Sequence, residues 1–351
     1  MNALALDKLR QQMIALRLDG LLIAKKANTA YLSGLRGEGL LLITPRRKII
    51  LTDFRFKEQA AQEAKSWQTY SRPGFQSLSE SLARLASKLK LRRLGFEALA
   101  ISYELYSKLK RALEPVTLVP TTDLVEQLRA IKTPAEIKLL KKAAACAVQS
   151  YLYARKIIRA GQTEKDLAGK IACFMQKQGA QRPAFEMIVA SGKRSALPHG
   201  QASDKIIRAN EAVLLDLGCR VAGYNSDLTR MLFLGRMKPK LKRIYDLVFQ
   251  AQQLAIQAIK AGEEIARVDG LCRQHIARAG FGACFGHALG HGVGLEVHEL
   301  PAVSPKNQDV FKEGMVLTVE PAIYLPGWGG VRIEDMVLVK KNGCEVLTTG
   351  T

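Results

Sequence analysis

The architecture of this chain can be worked out from EAVLLDLGCRVAGYNSDLTR, residues 211–230. Small and apolar residues lead to Asp216, a glycine stands at position 223, and a second carboxylate follows at Asp227. The pattern predicts a β-hairpin that turns about residues 221–222 and places Asp216 opposite Asp227. Two ionised carboxylates that close raise each other's pKa unless a cation lies between them. On its own, the stretch is equally compatible with a hairpin that carries two surface acids.

A second hairpin is predicted near the end of the chain, in MVLTVEPAIYLPGWGGVRIEDMVLV, residues 315–339. Glu320 and Glu334 are symmetric about Gly327 in the PGWGG turn. Their symmetry predicts that the two glutamates lie abreast on neighbouring strands. Each predicted hairpin therefore carries one pair of acids.

Histidines are concentrated between and just before the two hairpins. The chain has five histidines. Three of them stand in GHALGHGVGLEVHE, residues 286–299, at His287, His291 and His298. His199 ends the loop ahead of the first hairpin, whereas His275 falls in a predicted helix and is interpreted as structural or exposed. Four histidines that converge with four acids are poorly explained as ordinary core residues.

Four carboxylates and one imidazole suit a site for two divalent cations. Bridging carboxylates hold such cations ~3.5–4 Å apart, where the pair lowers the pKa of a shared water and polarises a carbonyl group. Oxygen-rich ligation with one nitrogen favours manganese, with cobalt or zinc as alternatives, over a thiolate zinc site. A hydrolase would also need an acid for the leaving amine and donors for the carbonyl oxygen, a role that the remaining histidines fit.

The order of predicted elements indicates two domains in the 351 residues. Helices and strands alternate over the first 120 residues, which favours an α/β domain, and no glycine-rich phosphate loop occurs there. Later, the order helix, helix, strand, hairpin occurs twice, which predicts two similar halves that face one another. We predict an α/β domain over residues 1–122 and an α+β domain with two pseudo-symmetric halves over residues 123–351.

Composition narrows the class of protein. No apolar run approaches the ~20 residues of a membrane span, and the amphipathic start has no small-residue cleavage site typical of a secretion signal. The six cysteines show no CxxC spacing, so neither a disulfide framework nor a zinc ribbon is indicated. These features predict a cytoplasmic protein without membrane association.

The formal net charge of +21 has two interpretations. Residues 1–120 contain 21 Lys and Arg against 10 Asp and Glu, a surplus of 11 in about a third of the chain. The basic residues are scattered over predicted helix faces, which favours a solvated surface over one that binds a polyanion. Nucleic acid is therefore not an expected partner.

Several segments closely resemble the pita-bread metallopeptidases, in the proline-directed branch of prolidases and Xaa-Pro aminopeptidases. The catalytic-domain segments are DLGCRVAGYNSDLTR, GHGVGLEVHE, EPAIY, GVRIEDMVLV and IVASGKRSALPHG. YLSGL and TDFRF, with the preceding α/β domain, resemble the creatinase-type amino-terminal domain. The resemblance covers nearly the whole chain. One departure from the family pattern is the basic pair Lys193-Arg194 before His199, which is expected to alter the rim of the site.

The resemblance implies a role for each matching position. It implies that Asp216 chelates one metal ion, that Asp227 and Glu334 bridge both ions, and that His291 and Glu320 complete the second. It also makes Glu320 the proton shuttle. The residues expected to act on substrate or to support the site are His199, His287, His298 and Arg332. The amino-terminal domain, supplied by the neighbouring subunit of a homodimer, is expected to form part of the wall that limits peptide length.

The activity implied is hydrolysis of the Xaa-Pro bond at the start of a peptide, extending to dipeptides. A strict Xaa-Pro dipeptidase is the alternative. Creatinase shares the architecture but lacks the ligands that this chain has, and methionine aminopeptidases lack such an amino-terminal domain. A catalytically dead relative that binds nucleic acid or protein is the alternative from another class, and the intact ligand set counts against it.

Overall fold

The computed structural model describes residues 3–72, 74 and 76–350. The predicted domain ends at residues 1 and 351 lie outside the described residues. The chain divides into two compact units, Met1–Arg129 and Ala130–Thr351. The narrower boundary between residues 122 and 123 stays a prediction. In the described part of the chain, no helix combines the length and apolar character needed to span a membrane.

The first unit is built on one six-stranded mixed sheet. Its strands are β1 (Gly20–Ile23), β2 (Leu40–Ile43), β3 (Lys48–Thr52), β4 (Gln68–Ser71), β5 (Arg93–Glu97) and β6 (Thr117–Thr121). They lie in the order β4-β3-β2-β1-β5-β6. Strand β2 is antiparallel to both β1 and β3, and the other neighbours are parallel.

Both faces of this sheet are covered by helices, because its strands are apolar on both sides. The helices are α1 (Ala3–Ala15), α2 (Lys26–Ser33), α3 (Lys57–Glu63), α4 (Leu78–Lys88), α5 (Tyr103–Ala112) and α6 (Leu124–Ala130). On β1, Leu21 and Ile23 join a core with α1 to α3, whereas Leu22 joins a core with α4 and α5. The predicted α/β domain is confirmed.

The second unit contains four long helices whose ends follow from local sequence. They are α7 (Pro134–Ile157), α8 (Glu164–Lys177), α9 (Pro239–Ala258) and α10 (Ile265–Arg278). Thr133 and Thr163 cap α7 and α8 through capping boxes. Positive φ at Gly179 and Gly280 allows the chain to leave α8 and α10.

The strands of the second unit follow the helices in each half. The first half has β7 (Arg182–Pro183), β8 (Ile188–Ser191), β9 (Ala212–Leu217), β10 (Cys219–Val221), β11 (Tyr224–Asn225) and β12 (Leu228–Phe233). The second has β13 (Gly290–Gly292), β14 (Glu299–Val303), β15 (Val316–Val319), β16 (Ala322–Leu325), β17 (Gly329–Arg332), β18 (Asp335–Lys340) and β19 (Gly343–Val346). The order helix, helix, strand, hairpin therefore occurs twice, as predicted.

Candidate metal centre

The first hairpin has a different register from the one predicted. Asp216 pairs with Thr229. The turn lies at Ala222 and Gly223, with φ angles of 50° and 91°, one residue further along than expected. Because moving a turn by one residue changes the pairing by two, the predicted opposition of Asp216 and Asp227 was wrong. A shift of two leaves both carboxylates on the same face, since side chains alternate with period two.

The second hairpin has the predicted register. Val319 pairs with Asp335, and Ala322 pairs with Arg332. The two strand pairs share one register. Extended between them, where the chain passes from β15 to β16, this register puts Glu320 opposite Glu334. The prediction that these glutamates lie abreast is confirmed.

Strand β13 brings His291 to the acids of both hairpins. Its Nε2 lies 3.3 Å from Glu320 Oε1 and 3.7 Å from Asp227 Oδ2. Glycines flank the histidine because neighbouring backbone is too close for side chains. A Cβ at Gly290 would collide with the carbonyl of Thr318, and one at Gly292 with the carbonyl of Leu300.

Repulsion within this buried group is strong. Asp227, His291 and Glu334 offer ligand atoms that all lie within 4.8 Å of one another. Burial, followed by repulsion from neighbouring carboxylates, raises the pKa of Asp227 and that of Glu334 well above their ordinary values. Burial lowers the pKa of His291, but the Glu320 carboxylate, the Gly292 carbonyl and Asp216 together raise it above its ordinary value.

The donor set fits a divalent cation. Asp216 is buried, and its Oδ1 has no hydrogen-bond partner within the described part of the chain. A buried carboxylate oxygen without a partner is costly, and a hard cation is a ligand that would satisfy it. The surrounding carboxylates and one imidazole are the donors that manganese, cobalt and zinc accept.

Arg332, at the end of β17, supports the site through hydrogen bonds. Its Nη2 donates to Asp216 Oδ2 at 2.6 Å, and its Nη1 donates to the Tyr324 hydroxyl at 2.6 Å. That hydroxyl lies 3.3 Å from His287 Nε2. Burial lowers the pKa of His287 and raises that of Tyr324 to about 12, so a neutral imidazole faces a neutral phenol. Arg332, Tyr324 and His287 form one connected polar wall.

The other two predicted substrate histidines lie on the open side. The ring of His298 lies 4.1 Å from that of His291, centroid to centroid. Burial lowers the pKa of His298, and His291 and His199 are among the neighbours that affect it. His199 is exposed in the turn after Pro198, whose carbonyl oxygen accepts from Arg332 Nη1 at 3.0 Å. His275 is half-buried on α10, in keeping with its interpretation as structural.

Three polar side chains of the site were missed in the sequence. Thr229 donates to Glu334 Oε2 at 2.7 Å and accepts from Arg332 Nε at 3.0 Å. Thr318 donates to Glu320 Oε1 at 3.2 Å. Each threonine stands two residues from a predicted ligand, Asp227 or Glu320, that borders its strand, so period-two alternation could have identified both. Tyr324, in EPAIY, had no comparable signal.

Comparison with known proteins gives the same assignment over both units. Residues 138–341 match the model of metallopeptidase family M24, and residues 6–131 match the creatinase/prolidase N-terminal domain. A Xaa-Pro dipeptidase of Pyrococcus horikoshii is 40% identical over 334 residues, which cover 94% of this chain and 93% of that protein.

Solved structures are also similar. The Xaa-Pro dipeptidase from Bacillus anthracis superposes with a TM-score of 0.96 at 40% identity, covering 100% of this chain and 98% of that one. The X-Pro aminopeptidase from Thermotoga maritima superposes with a TM-score of 0.89 at 36% identity, covering 97% and 98%. These matches cover both units and agree with the buried acids and histidines of the site. The chain therefore belongs to metallopeptidase family M24.

Proposed function

We propose that the chain is a dinuclear metal-dependent exopeptidase that hydrolyses the bond between an N-terminal residue and proline. The convergence of four carboxylates and His291 at the junction of two hairpins carries the proposal. Relatives named Xaa-Pro dipeptidase support cleavage of dipeptides. The relative named X-Pro aminopeptidase supports a second activity on longer peptides.

Five residues would hold two ions, with manganese favoured and cobalt or zinc as alternatives. They are Asp216, Asp227, His291, Glu320 and Glu334. When bound, the ions would lower the pKa of a water and polarise the scissile carbonyl group. Arg332 orients Asp216, and Thr229 orients Glu334. Glu320, which lies beside His291, would pass a proton to the leaving nitrogen.

His298, His199 and His287 are proposed to bind the substrate rather than the metal. His298→Ala should lower kcat by roughly 10²–10³, as loss of one transition-state donor does elsewhere. The same loss is expected for His199→Ala. Metal content should stay at the wild-type value in both variants, measured by elemental analysis of dialysed protein. Loss of an ion in either variant would move that histidine to the metal ligands.

The substrate is tested with three peptides that share an N-terminal alanine: Ala-Pro, Ala-Pro-Ala and Ala-Ala. The manganese-loaded protein should release alanine from Ala-Pro and, as a second activity, from Ala-Pro-Ala. Ala-Ala, which lacks the imide bond, should be cut at least about tenfold more slowly, because a hydrophobic pocket discriminates by roughly 10–200-fold. Hydrolysis of Ala-Pro alone would make the protein a strict dipeptidase. Equal rates on Ala-Ala would contradict the proline specificity.

Other properties belong to the same proposal. We infer a homodimer because the resemblance implies that the amino-terminal domain of a neighbouring subunit limits peptide length. A cytoplasmic location is supported by six cysteines that are all free thiols. A catalytically dead module that binds nucleic acid remains disfavoured, because the basic surplus is not accompanied by loss of any predicted ligand.

A further inference from the structure

A buried carboxylate outside the metal centre accepts hydrogen bonds from the loop that carries His199. Glu164 begins helix α8 and is fully buried. Its Oε1 accepts from the backbone N–H and the hydroxyl of Ser191, at 2.7 and 2.8 Å. Its Oε2 accepts from Arg194 Nε at 3.0 Å, and from the backbone N–H and hydroxyl of Ser203 at 3.1 and 2.7 Å. The Glu164 side chain therefore binds both ends of the loop of residues 191–203, and also Arg194 between them.

Charge and geometry make this anchor specific to a carboxylate. A buried negative charge is tolerated only when it is paired and fully hydrogen-bonded, and Arg194 together with four other donors meets that requirement. The N-terminus of α8 adds favourable partial positive charge. Arg194 Nη2 also donates to the carbonyl oxygen of Gln201 at 2.6 Å. Arg194, one of the basic pair expected to alter the rim, pairs with Glu164.

The opposite side of the loop is fastened to the strand that bears Arg332. The N–H of Gly330 donates to Ser195 Oγ at 2.8 Å, and Arg332 donates to the carbonyl oxygen of Pro198. His199 itself is exposed, so its position is set by the backbone on either side of it. Glu164 holds one side of that backbone, and β17 holds the other.

We propose that Glu164 is a positioning residue for the reaction, which acts by fixing the backbone of residues 191–203 so that His199 meets the substrate. The inference rests on the substrate role of His199 in the proposed function. Among the hydrogen bonds of the described residues, Glu164 makes none to the proposed metal ligands or to the proposed substrate histidines. Its effect is therefore expected on turnover and not on metal content.

The test is E164Q, which keeps the shape of the side chain but turns an amide N–H₂ toward groups that are themselves donors. We expect kcat for Ala-Pro to fall about 10²-fold, as a misplacement of about 1 Å can cause, with unchanged metal content. In the H199A background, E164Q should lower kcat by less than about twofold, because the group it positions is gone. Hydrogen exchange of amides in residues 192–203 should accelerate. The milder S203A should show the same pattern, several-fold smaller, if E164Q folds poorly.

D166N is the matched control. Asp166 lies in the same first turn of α8, where it caps the helix and is exposed. Its loss should leave both kcat and exchange in residues 192–203 unchanged. Full additivity of E164Q with H199A, or unchanged loop exchange in E164Q, overturns the inference. Wild-type rates in H199A alone would instead overturn the role proposed for His199, and with it the inference that rests on that role.

Discussion

Asp227→Asn should abolish Xaa-Pro hydrolysis and raise the melting temperature of the metal-free protein. Asp227 is buried among Glu334, Asp216 and Glu320, which all raise its pKa. A neutral amide of the same shape cannot bridge two cations, so turnover should fall below detection. The same change removes one of the mutually repelling charges, which should stabilise the protein when no cation offsets them.

The raised pKa of Asp227 determines how the stability of the metal-free protein changes with pH. Between the ordinary pKa of an aspartate, about 3.9, and its raised value in the folded state, the folded protein binds more protons than the unfolded chain. Stability of the metal-free wild type should therefore fall as pH rises through that window. In Asp227→Asn the fall should be smaller, because position 227 no longer titrates, although Glu334 retains its raised pKa.

Thermal unfolding after chelation, measured from pH 5 to pH 8, checks this expectation. For a unit of this size, 1 kcal/mol changes the melting temperature by roughly 2–4 °C. Asp246→Asn is the control, because Asp246 is half-exposed on α9 and pairs only with Lys242 among the contacts described. A melting temperature lower than that of the metal-free wild type, or near-normal hydrolysis, would contradict the assignment of Asp227.

Removal of metal should inactivate the wild-type protein completely. A chelated and dialysed sample should show no hydrolysis of Ala-Pro, and Mn²⁺ should restore it with about two ions bound per chain, as in other two-metal hydrolases. Bound ions should also stabilise the fold, by about 2.7 kcal/mol at a concentration 100 times Kd. Full activity in the chelated sample would rule out the metal-dependent reaction.

His291→Ala provides the matching variant for the metal count. Because His291 Nε2 is the one imidazole nitrogen close to both Glu320 and Asp227 in the described structure, its loss should remove one ion. Elemental analysis should then give about one ion per chain, with no turnover. His298→Ala, whose ring lies beside that of His291, should retain two. Equal metal content in the two variants would contradict the division between ligand and substrate histidines.

The two hairpins show what local sequence can and cannot predict. Gly327 and the symmetric acids around it define the second register, because the turn has one plausible centre. In the first hairpin, the turn contains Ala222 at positive φ, a conformation that an alanine rarely adopts. The predicted turn, residues 221–222, left out Gly223, whereas the observed turn combines that glycine with Ala222. The sheet face predicted for each aspartate was still correct, because a register error of two residues leaves every side chain on the same face.

Residues that support the site were harder to predict than the acids themselves. A carboxylate or imidazole in an apolar strand stands out by its cost of burial, whereas a threonine such as Thr229 is an ordinary strand residue. Glu164 was equally hidden. In the sequence it is one of the acids expected in the first turn of a helix, and its partners Ser191 and Ser203 become visible only when the loop folds over it.

The contact between Thr229 and Glu334 joins residues 105 positions apart, one from each half of the second unit. Closing so long a stretch of chain is entropically costly, and contacts this distant tend to form late in folding. During synthesis, Asp216 and Asp227 emerge well before Glu320 and Glu334. A chain that stops at the end of β15 therefore has Asp216 and Asp227 but neither glutamate, and cannot assemble the full ligand set. Metal uptake should thus mark the completion of the polypeptide, since the binding energy is available only to the finished fold.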